Sequence, residues 1–495
     1  MEIELKLRLP PDALAALRAD PLLANTRKVR RHLDNIYFDT PQRTLAKAGI
    51  GLRLRSDGKR WLQTVKGPGA SRAGLHQREE IEFAVAGPAL EWPPLAGTRF
   101  EALLKPLKNQ LAPQFRTRFE RDLRQVTGAM GATIEVALDQ GEIVALQRRE
   151  PLCELELELL SGPVDDLFSL ALQLVRAHPL VLDNRSKAER GGQLAHGVPV
   201  GPPVKAYALP AHPDEDARAI TRRAVEASLA HWQANEAGFL GRPRSSPYNS
   251  EYLHQLRIAV RRLRIALGPL ARAAQWHDEA LTSVRKGLRT LGRQLGAARD
   301  WDVFIEETWP PLAAGLHDNA LRQKLQEAAG LLQGTAHLQA QTALEGRETQ
   351  RLLLQLGRCL AQPDDDAAPV PFDALTAGPE RLDHQLRQAL PKREGLSPAS
   401  LHHLRIAAKK MRYLTEFISG HYDSQATGPW LEWLKKAQAV FGVRNDRVTA
   451  HARIEALCTG MEHAGKLQHT LQAALRGQAQ ADLSLPPIPE PYWRS

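Results

Sequence analysis

Cysteine is scarce in this sequence, and so are aromatic residues and long apolar stretches. The three cysteines, Cys153, Cys359 and Cys458, are too few and too far apart for a disulfide framework or a zinc cluster. No stretch has the apolar length of a signal peptide or of a membrane span. We therefore expect a cytoplasmic protein in a reducing compartment.

The chain is long and basic. Its 495 residues exceed what one hydrophobic core usually serves, so two or more domains are expected. The formal net charge of +10 favours a polyanionic ligand, because clustered lysine and arginine attract phosphates. Nucleic acid, anionic membrane and inorganic phosphate chains all satisfy this charge.

The first 190 or so residues alternate with period two, which predicts antiparallel strands with one apolar face. The other face is charged, and some strands are purely acidic while others are purely basic. Such segregation favours a barrel with a polar interior over the solvated face of an open sheet. The alternating charged residues are Glu2, Glu4, Lys6, Arg53, Arg55, Arg116, Arg118, Glu154, Glu156 and Glu158.

A proline-rich stretch at 198–214 predicts a linker between a strand-rich domain, 1–197, and a helical domain, 215–485. Beyond the linker the apolar period changes to that of a helix. A second break, at 362–371, divides the helical domain into halves of about 215–362 and 372–480. The predicted fold class is α+β.

The two helical halves share a repeated motif, His-x-x-Arg-x-x-x-Arg/Lys-x-x-Arg, which indicates a duplicated helical unit. In each copy these residues follow one stripe of the helix, beside an apolar stripe. A solvated basic face and a polyanion-binding surface both fit, and the histidines could form structural hydrogen bonds instead. The residues of the two stripes are His254, Arg257, Arg261, Arg264, His402, Arg405, Lys409 and Arg412.

The sequence Glu2-x-Glu4-x-Lys6 places two carboxylates and an ammonium group on one side of a strand, roughly 6 to 7 Å apart. Mg²⁺ or Mn²⁺ suits such a site, because these ions bind a few carboxylates together with substrate phosphates. A second strand would supply Glu154, Glu156 and Glu158. A short phosphate chain is the natural partner of the basic residues Lys6, Arg53, Arg55, Lys66, Arg116, Arg118 and Lys187.

These motifs, in this order, resemble the CYTH domains of the triphosphate tunnel metalloenzymes over about residues 1–195. Further matches are Tyr37-Phe38-Asp39-Thr40-Pro41, Thr64-Val65-Lys66-Gly67-Pro68 and Ser186-Lys187-Ala188-Glu189-Arg190-Gly191. The resemblance implies an eight-stranded antiparallel tunnel with flanking helices. It assigns metal binding to Glu2, Glu4, Glu154, Glu156 and Glu158, phosphate binding to the basic residues above, and tunnel positions to Glu80, Glu82, Glu135 and Asp139.

The duplicated motif resembles the CHAD domain, together with Gly296-x-x-Arg299-Asp300-x-Asp302 and the weaker second copy Gly442-x-x-Asn445-Asp446. This resemblance implies an all-α domain of two duplicated four-helix bundles that binds inorganic polyphosphate. No element that would read a nucleic-acid sequence accompanies it.

We therefore expect metal-dependent hydrolysis of inorganic triphosphate, with Glu4 and Lys6 as catalytic residues. Glu4 would orient or deprotonate the attacking water or act as a plain metal ligand, and the sequence leaves these roles open. The absence of a P-loop favours inorganic triphosphate over a nucleotide. A non-catalytic polyphosphate-binding scaffold and an RNA 5′-triphosphatase are the alternatives.

Overall fold

The structure described here is a computed structural model. It describes residues 2–24, 26–72, 75–197, 201–212, 214–241, 249–362, 368–390, 397–459, 461, 463–477 and 485–494, apart from the side chains of 70–72, 398 and 443–446. Parts of the predicted linker and of the predicted break at 362–371, and the side chains of Asn445 and Asp446, therefore lie outside the described residues.

Antiparallel strands form a closed barrel at the N-terminal end of the chain. They are β1 (Glu2–Arg8), β2 (Val29–Asp39), β3 (Gly51–Ser56), β4 (Trp61–Arg72), β5 (Leu75–Val85), β6 (Ala112–Thr127), β7 (Thr133–Ala145), β8 (Arg148–Ser161) and β9 (Val181–Leu182). The order is β5-β4-β3-β2-β6-β7-β8-β1-β9, and β5 also pairs with β1, which closes eight strands into a ring. The short β9 pairs with Leu7 and Arg8, beyond the part of β1 that pairs with β5.

Helices flank the barrel and predominate among the described residues that follow it. They are α1 (Leu14–Arg18), α2 (Pro21–Ala24), α3 (Thr44–Lys47), α4 (Glu101–Leu104), α5 (Val164–Ala177), α6 (Lys187–His196), α7 (Ala217–Leu240), α8 (Glu251–Ile265), α9 (Ala271–Ala273), α10 (Glu279–Val303), α11 (Trp309–Ala314), α12 (Asn319–Glu345), α13 (Arg347–Ala361), α14 (Ala377–Ala389), α15 (Pro398–Ile418), α16 (Ser424–Cys458) and α17 (Ala464–Gly477). The predicted fold class, a β tunnel followed by an all-α region, is confirmed.

The period-two alternation gives strands β1 and β8 an apolar outer face and a charged inner face. Leu5 and Leu155 are fully buried on the outer side, where α5 packs against β8. Across the β1–β8 ladder, Glu4 lies opposite Glu158 and Lys6 lies opposite Glu156, so their side chains point to the same side of the sheet. Burying the leucines outside therefore directs these charges into the barrel.

The chain folds into two compact units. One comprises residues 1–202 together with 345–364, and the other comprises residues 203–344 and 365–495. Helix α13 thus belongs to the same unit as the barrel and packs against α5, although the predicted scheme placed its residues in the helical domain. Among the described residues, no helix combines the length and the apolarity needed to cross a membrane.

Candidate active site and cationic cavity

The barrel encloses a cavity of about 560 Å³ whose wall is densely charged. Carboxylates and cations from most of the strands, and one lysine from α6, meet in this space. A cavity that carries both signs of charge can hold an anion and a metal cation together. The charged lining residues include Glu2, Glu4, Lys6, Arg53, Arg55, Lys66, Arg78, Glu80, Glu82, Arg121, Glu135, Glu156, Glu158 and Lys187.

Lys187 lies at the centre of one buried ionic cluster. Its Nζ atom is 2.8 Å from Asp139 Oδ2 and 2.9 Å from Glu156 Oε1, and it also contacts Glu154. Arg121 binds both oxygens of Asp139, at 2.7 and 2.6 Å, and Glu156 at 2.5 Å. The three carboxylates are close enough together to hold a metal ion, but the two cations already neutralise much of their charge.

The first turn of α6 places Lys187 in this cluster. Ser186 caps the helix and forms a reciprocal capping box with Glu189, which fixes where the helix begins. Gly191 lets the helix lie flat on the barrel, because a Cβ atom there would come within 2.0 Å of the Phe115 ring. The capping box and the glycine together set the depth to which Lys187 reaches.

Lys6 joins this cluster to the carboxylate of Glu4. Its Nζ atom is 3.0 Å from Glu4 and 3.1 Å from Glu156, and Arg78 donates a hydrogen bond of 3.1 Å to Glu4. Burial raises the pKa of Glu4, but the attraction of Lys6 and the other nearby cations outweighs it and lowers that pKa to about 2. Glu4 therefore stays ionised and is a weak base.

A second ionic group surrounds Lys66. Its Nζ atom is 2.8 and 2.9 Å from the two oxygens of Glu2 and 2.8 Å from Glu80. The guanidinium of Arg53 approaches Glu80 only to 3.6 Å, and its buried Nε atom has no hydrogen-bond partner among the described residues. Arg53 lines the cavity, so its guanidinium suits an anion bound there.

Arg55 lies beside Arg53 in a cation-rich part of the wall. Its Nε atom donates a 3.0 Å hydrogen bond to the neutral side chain of Asn35. Burial, together with repulsion from Arg53 and Arg121, lowers the pKa of Arg55 to about 10. An anion bound here would relieve that repulsion.

Another part of the wall has excess negative charge. Burial, followed by repulsion from Glu2, Glu135 and Glu4, raises the pKa of Glu158 to about 7. No cation among the described residues forms an ion pair with Glu158. The cavity is thus polarised, with an acidic region around Glu158 and a guanidinium-rich region around Arg53 and Arg55.

The helical unit has a cavity of its own, about 720 Å³ in volume. No carboxylate belongs to the described residues that line it. Burial and repulsion from Arg289 and Arg261 lower the pKa of Arg264, which shows how closely the cations are packed. The basic lining residues are Arg261, Arg264, Arg272, Arg285, Lys286, Arg289, Arg381, His402, Arg405, Lys409 and Lys410.

The remaining residues of the two predicted stripes lie outside the lining of this cavity. Arg257 is 3.5 Å from Asp300 and donates a 3.4 Å hydrogen bond to the Gly296 carbonyl. Arg412 donates a 2.7 Å hydrogen bond to Glu416. His254 is partly buried near Arg257, and burial lowers its pKa. The structure therefore brings five of the eight predicted residues together in the cavity.

Family comparisons divide the chain in the same order as these two sites. Residues 1–191 match the CYTH domain, and residues 223–455 match the CHAD domain. The chain carries a CYTH domain followed by a CHAD domain. Its CYTH domain contains the barrel cavity, and its CHAD domain contains the cationic cavity.

Relatives are known for both domains. An inorganic triphosphatase from Haemophilus influenzae is 35% identical over 197 residues, which cover 38% of this chain and 54% of that protein. The chain therefore matches about half the length of this curated relative. The structure of a CHAD domain from Ricinus communis is 28% identical, covers 57% of this chain and 94% of its own, and has a TM-score of 0.46. A Hippeastrum adenylyl cyclase candidate with a dominant triphosphatase activity is 19% identical, covers 40% of this chain and 96% of its own, and has a TM-score of 0.30.

Two arginines expected inside the CYTH barrel lie on its outside instead. The side chains of Arg116 and Arg118 are 46% and 53% exposed and lie 3.9 and 3.6 Å from Asp34. The inward face of β6 carries Phe115 and, further along the strand, Arg121. The expected inward orientation of the two arginines is therefore wrong, because the opposite set of alternating residues in β6 faces the interior.

Sequence reasoning missed several cations of both sites. Arg121 shares its inward face with Phe115, Thr117 and Phe119, and those residues gave no signal of a polar interior. Other missed residues of the CHAD domain lie outside the repeated stripes, and all but Lys410 lie on helices other than α8 and α15. They are Arg272, Arg285, Lys286, Arg289, Arg381 and Lys410. The run Arg285-Lys286-x-x-Arg289 on α10 was an available signal, since it puts three cations on neighbouring turns.

Proposed function

We propose that the CYTH domain hydrolyses inorganic triphosphate to pyrophosphate and phosphate with Mg²⁺ or Mn²⁺, and that the CHAD domain binds inorganic polyphosphate. The first part is carried by the polarised barrel cavity. Its guanidinium-rich region around Arg53 and Arg55 suits a short phosphate chain, and its acidic region around Glu158 suits the accompanying metal. A triphosphatase relative supports this assignment.

The carboxylates around Glu158 fit a divalent metal. They offer hard oxygen donors, which Mg²⁺ and Mn²⁺ prefer, and CYTH domains are metal-dependent. Glu2, Glu4 and Glu158 would hold the ion, and it would act as a Lewis acid on the phosphate oxygens. Glu154 and Glu156 were also expected as ligands and stay so, because with Asp139 they lie close enough together to hold an ion. They contact Lys187 as Glu2 contacts Lys66 and Glu4 contacts Lys6.

The chain's own residues supply binding, orientation and charge. Arg53, Arg55 and Lys66 hold the phosphate oxygens, because all three line the cavity. A water molecule attacks the terminal phosphorus in line, and the bond to the leaving pyrophosphate breaks as Lys6 stabilises the developing negative charge. The low pKa of Glu4 favours orientation of this water over removal of its proton, and the proton passes to an oxygen of the released phosphate.

Phosphate release from triphosphate with Mg²⁺ or Mn²⁺ tests the first part. Wild type should turn over only with the metal, and Glu4→Gln should lose at least about a hundredfold in kcat/KM, as expected for a charged group acting in the transition state. Glu142→Gln is a matched control, because Glu142 pairs with exposed Arg149 outside the cavity lining. A wild type without metal-dependent turnover would contradict the proposal and favour a non-catalytic scaffold.

The CHAD proposal is carried by the cavity whose described lining includes no carboxylate. A linear polyanion without base edges can be held by charge and by hydrogen bonds to phosphate alone. Labelled polyphosphate should bind the full chain, and unlabelled polyphosphate should displace it at physiological salt far better than RNA of equal charge. If RNA competes equally well, the alternative function, an RNA 5′-triphosphatase whose basic helices hold RNA, would be favoured.

A further inference from the structure

Helix α13 lies within the stretch that matches the CHAD domain but packs in the same compact unit as the CYTH barrel. Arg358 donates two hydrogen bonds to Asp165 of α5, at 2.5 and 2.6 Å. Just before the helix, Glu345 forms an ion pair with Arg8 at the end of β1. Two charged contacts therefore tie the segment to different elements of the CYTH unit.

A third contact reaches the strand β9. Gln350, which is 1% exposed, accepts a 2.9 Å hydrogen bond from the backbone N–H of Leu182 through its Oε1 atom. Leu182 pairs with Leu7 of β1, and the next residue, Asp183, donates a 3.0 Å backbone hydrogen bond to the Lys6 carbonyl. Gln350 thus holds one edge of β9 while Lys6 and its neighbours hold the other.

Strand β9 has only two residues, so each attachment is a large part of what fixes it. Four residues separate Leu182 from Lys187, and within them Asp183 binds Arg185 while Ser186 caps α6. A shift of β9 would therefore be passed to the backbone of Lys6 on one side and to Lys187 on the other.

We propose that Gln350 is a positioning residue for the triphosphate reaction: it fixes β9, and through β9 it sets the places of Lys6 and Lys187 in the cavity. This inference rests on the proposed function of the CYTH domain. Gln350, which lies within the stretch that matches the CHAD domain, would thus help to position the catalytic residues of the CYTH domain.

The full chain with Gln350→Met tests this role, because methionine keeps the volume and removes the acceptor. Losing one such hydrogen bond should lower kcat/KM for triphosphate about fivefold, mainly through KM. Gln350→Glu keeps an acceptor oxygen but buries a carboxyl group, so it should restore most of the loss only at a pH low enough to protonate that group, compared with wild type at the same pH. Arg351→Ala is the matched control on the same helix, since its ion pair is with Glu348 one turn away, and it should change KM less than about twofold.

Hydrogen–deuterium exchange of the same variants provides a readout that does not depend on activity. Amides of 181–187 should exchange faster in Gln350→Met than in wild type and should stay at the wild-type rate in Arg351→Ala. Unchanged exchange in Gln350→Met, or faster exchange with an unchanged KM, would overturn the positioning role. A wild type without triphosphatase activity would instead overturn the proposed function, and the exchange rates would then decide whether Gln350 holds β9.

Discussion

Lys187 should be among the most important residues for the stability of the CYTH unit, even without substrate. Its side chain is 6% exposed and neutralises Asp139, Glu154 and Glu156. Replacing it with methionine keeps most of the packing but leaves these carboxylates with excess charge. Removing one partner from a buried ionic cluster costs about 3 to 5 kcal/mol.

The expected loss lies near the lower end of that range, because other cations remain. Arg121 still binds Asp139 and Glu156, and Arg190 still lies 3.1 Å from Glu154. We therefore expect Lys187→Met to lower the free energy of unfolding by about 3 kcal/mol at pH 8. For a unit of this size that is about 6 to 12 °C in Tm.

The loss should depend on pH in one direction. Burial raises the pKa of Glu154 even in the wild type, and losing the lysine would raise it further. A carboxyl group whose folded pKa lies above its unfolded value destabilises the fold as the pH rises through the folded pKa. The deficit of Lys187→Met should therefore be large at pH 8 and should shrink as the pH falls towards 5.

Urea denaturation followed by circular dichroism at several pH values measures this effect. Adding Glu154→Gln to Lys187→Met removes one of the carboxylates that lost the lysine and should recover part of the stability. Lys105→Met, at an exposed surface pair with Glu101, should change stability by less than about 0.5 kcal/mol. A deficit below about 1 kcal/mol, or one that stays constant from pH 5 to pH 8, would refute the reasoning.

Three further predictions concern other parts of the molecule. Arg55→Ala should lower kcat/KM for triphosphate at least about tenfold, because Arg55 faces the cavity. Arg118→Ala should change kcat/KM by less than about twofold, because Arg118 lies outside the cavity. Equal losses of kcat/KM in steady-state kinetics would contradict this orientation. In salt titrations of polyphosphate binding, Arg289→Ala should weaken the binding and reduce the slope of log affinity against log salt concentration by about 0.7. Arg293→Ala, one turn further along α10 and outside the cavity lining, should leave the affinity and the slope unchanged. Burial, with repulsion from Lys6, lowers the pKa of His76 to about 4, below its unfolded value, so the stability that neutral His76 contributes is present above about pH 6.5 and is lost as the pH falls. Between pH 7 and pH 4, the free energy of unfolding of His76→Gln should therefore fall by about 3 kcal/mol less than that of wild type in urea denaturation. Equal losses would argue against this burial effect.

The sequence predicted the barrel well, because its evidence came from several strands at once. Glu2, Glu4 and Lys6 alternate with leucine and isoleucine, and a fully apolar set on one side leaves little choice about which side packs outward. The same reasoning failed for β6. In β6, Phe115 and Phe119 lie on one face, and Arg116 and Arg118 lie on the other. A period of two shows which residues share a face, but it does not show which face turns inward.

The cationic cavity shows a different limit of sequence reasoning. The repeated motif identified Arg261 and Lys409 on α8 and α15, because these residues recur in one linear pattern. Arg289 and Arg381 join them only because α10 and α14 pack alongside. A cluster of cations such as that on α10 can be seen in the sequence, but contacts between distant elements leave no period in the chain, so the packing that brings these cations into one cavity was not predictable from it.

The amino-acid sequence alone determined the order of the domains, the strands of the barrel and most of its inward charges, since each of these follows from local periodicity and hydrophobicity. Tertiary structure alone decided that Lys187 and Arg121 neutralise the carboxylates of Asp139 and Glu156, and that Gln350 reaches β9. The physical reason is that ion pairs and hydrogen bonds depend on distances of a few ångströms between segments far apart in the chain, and only the packed fold sets those distances.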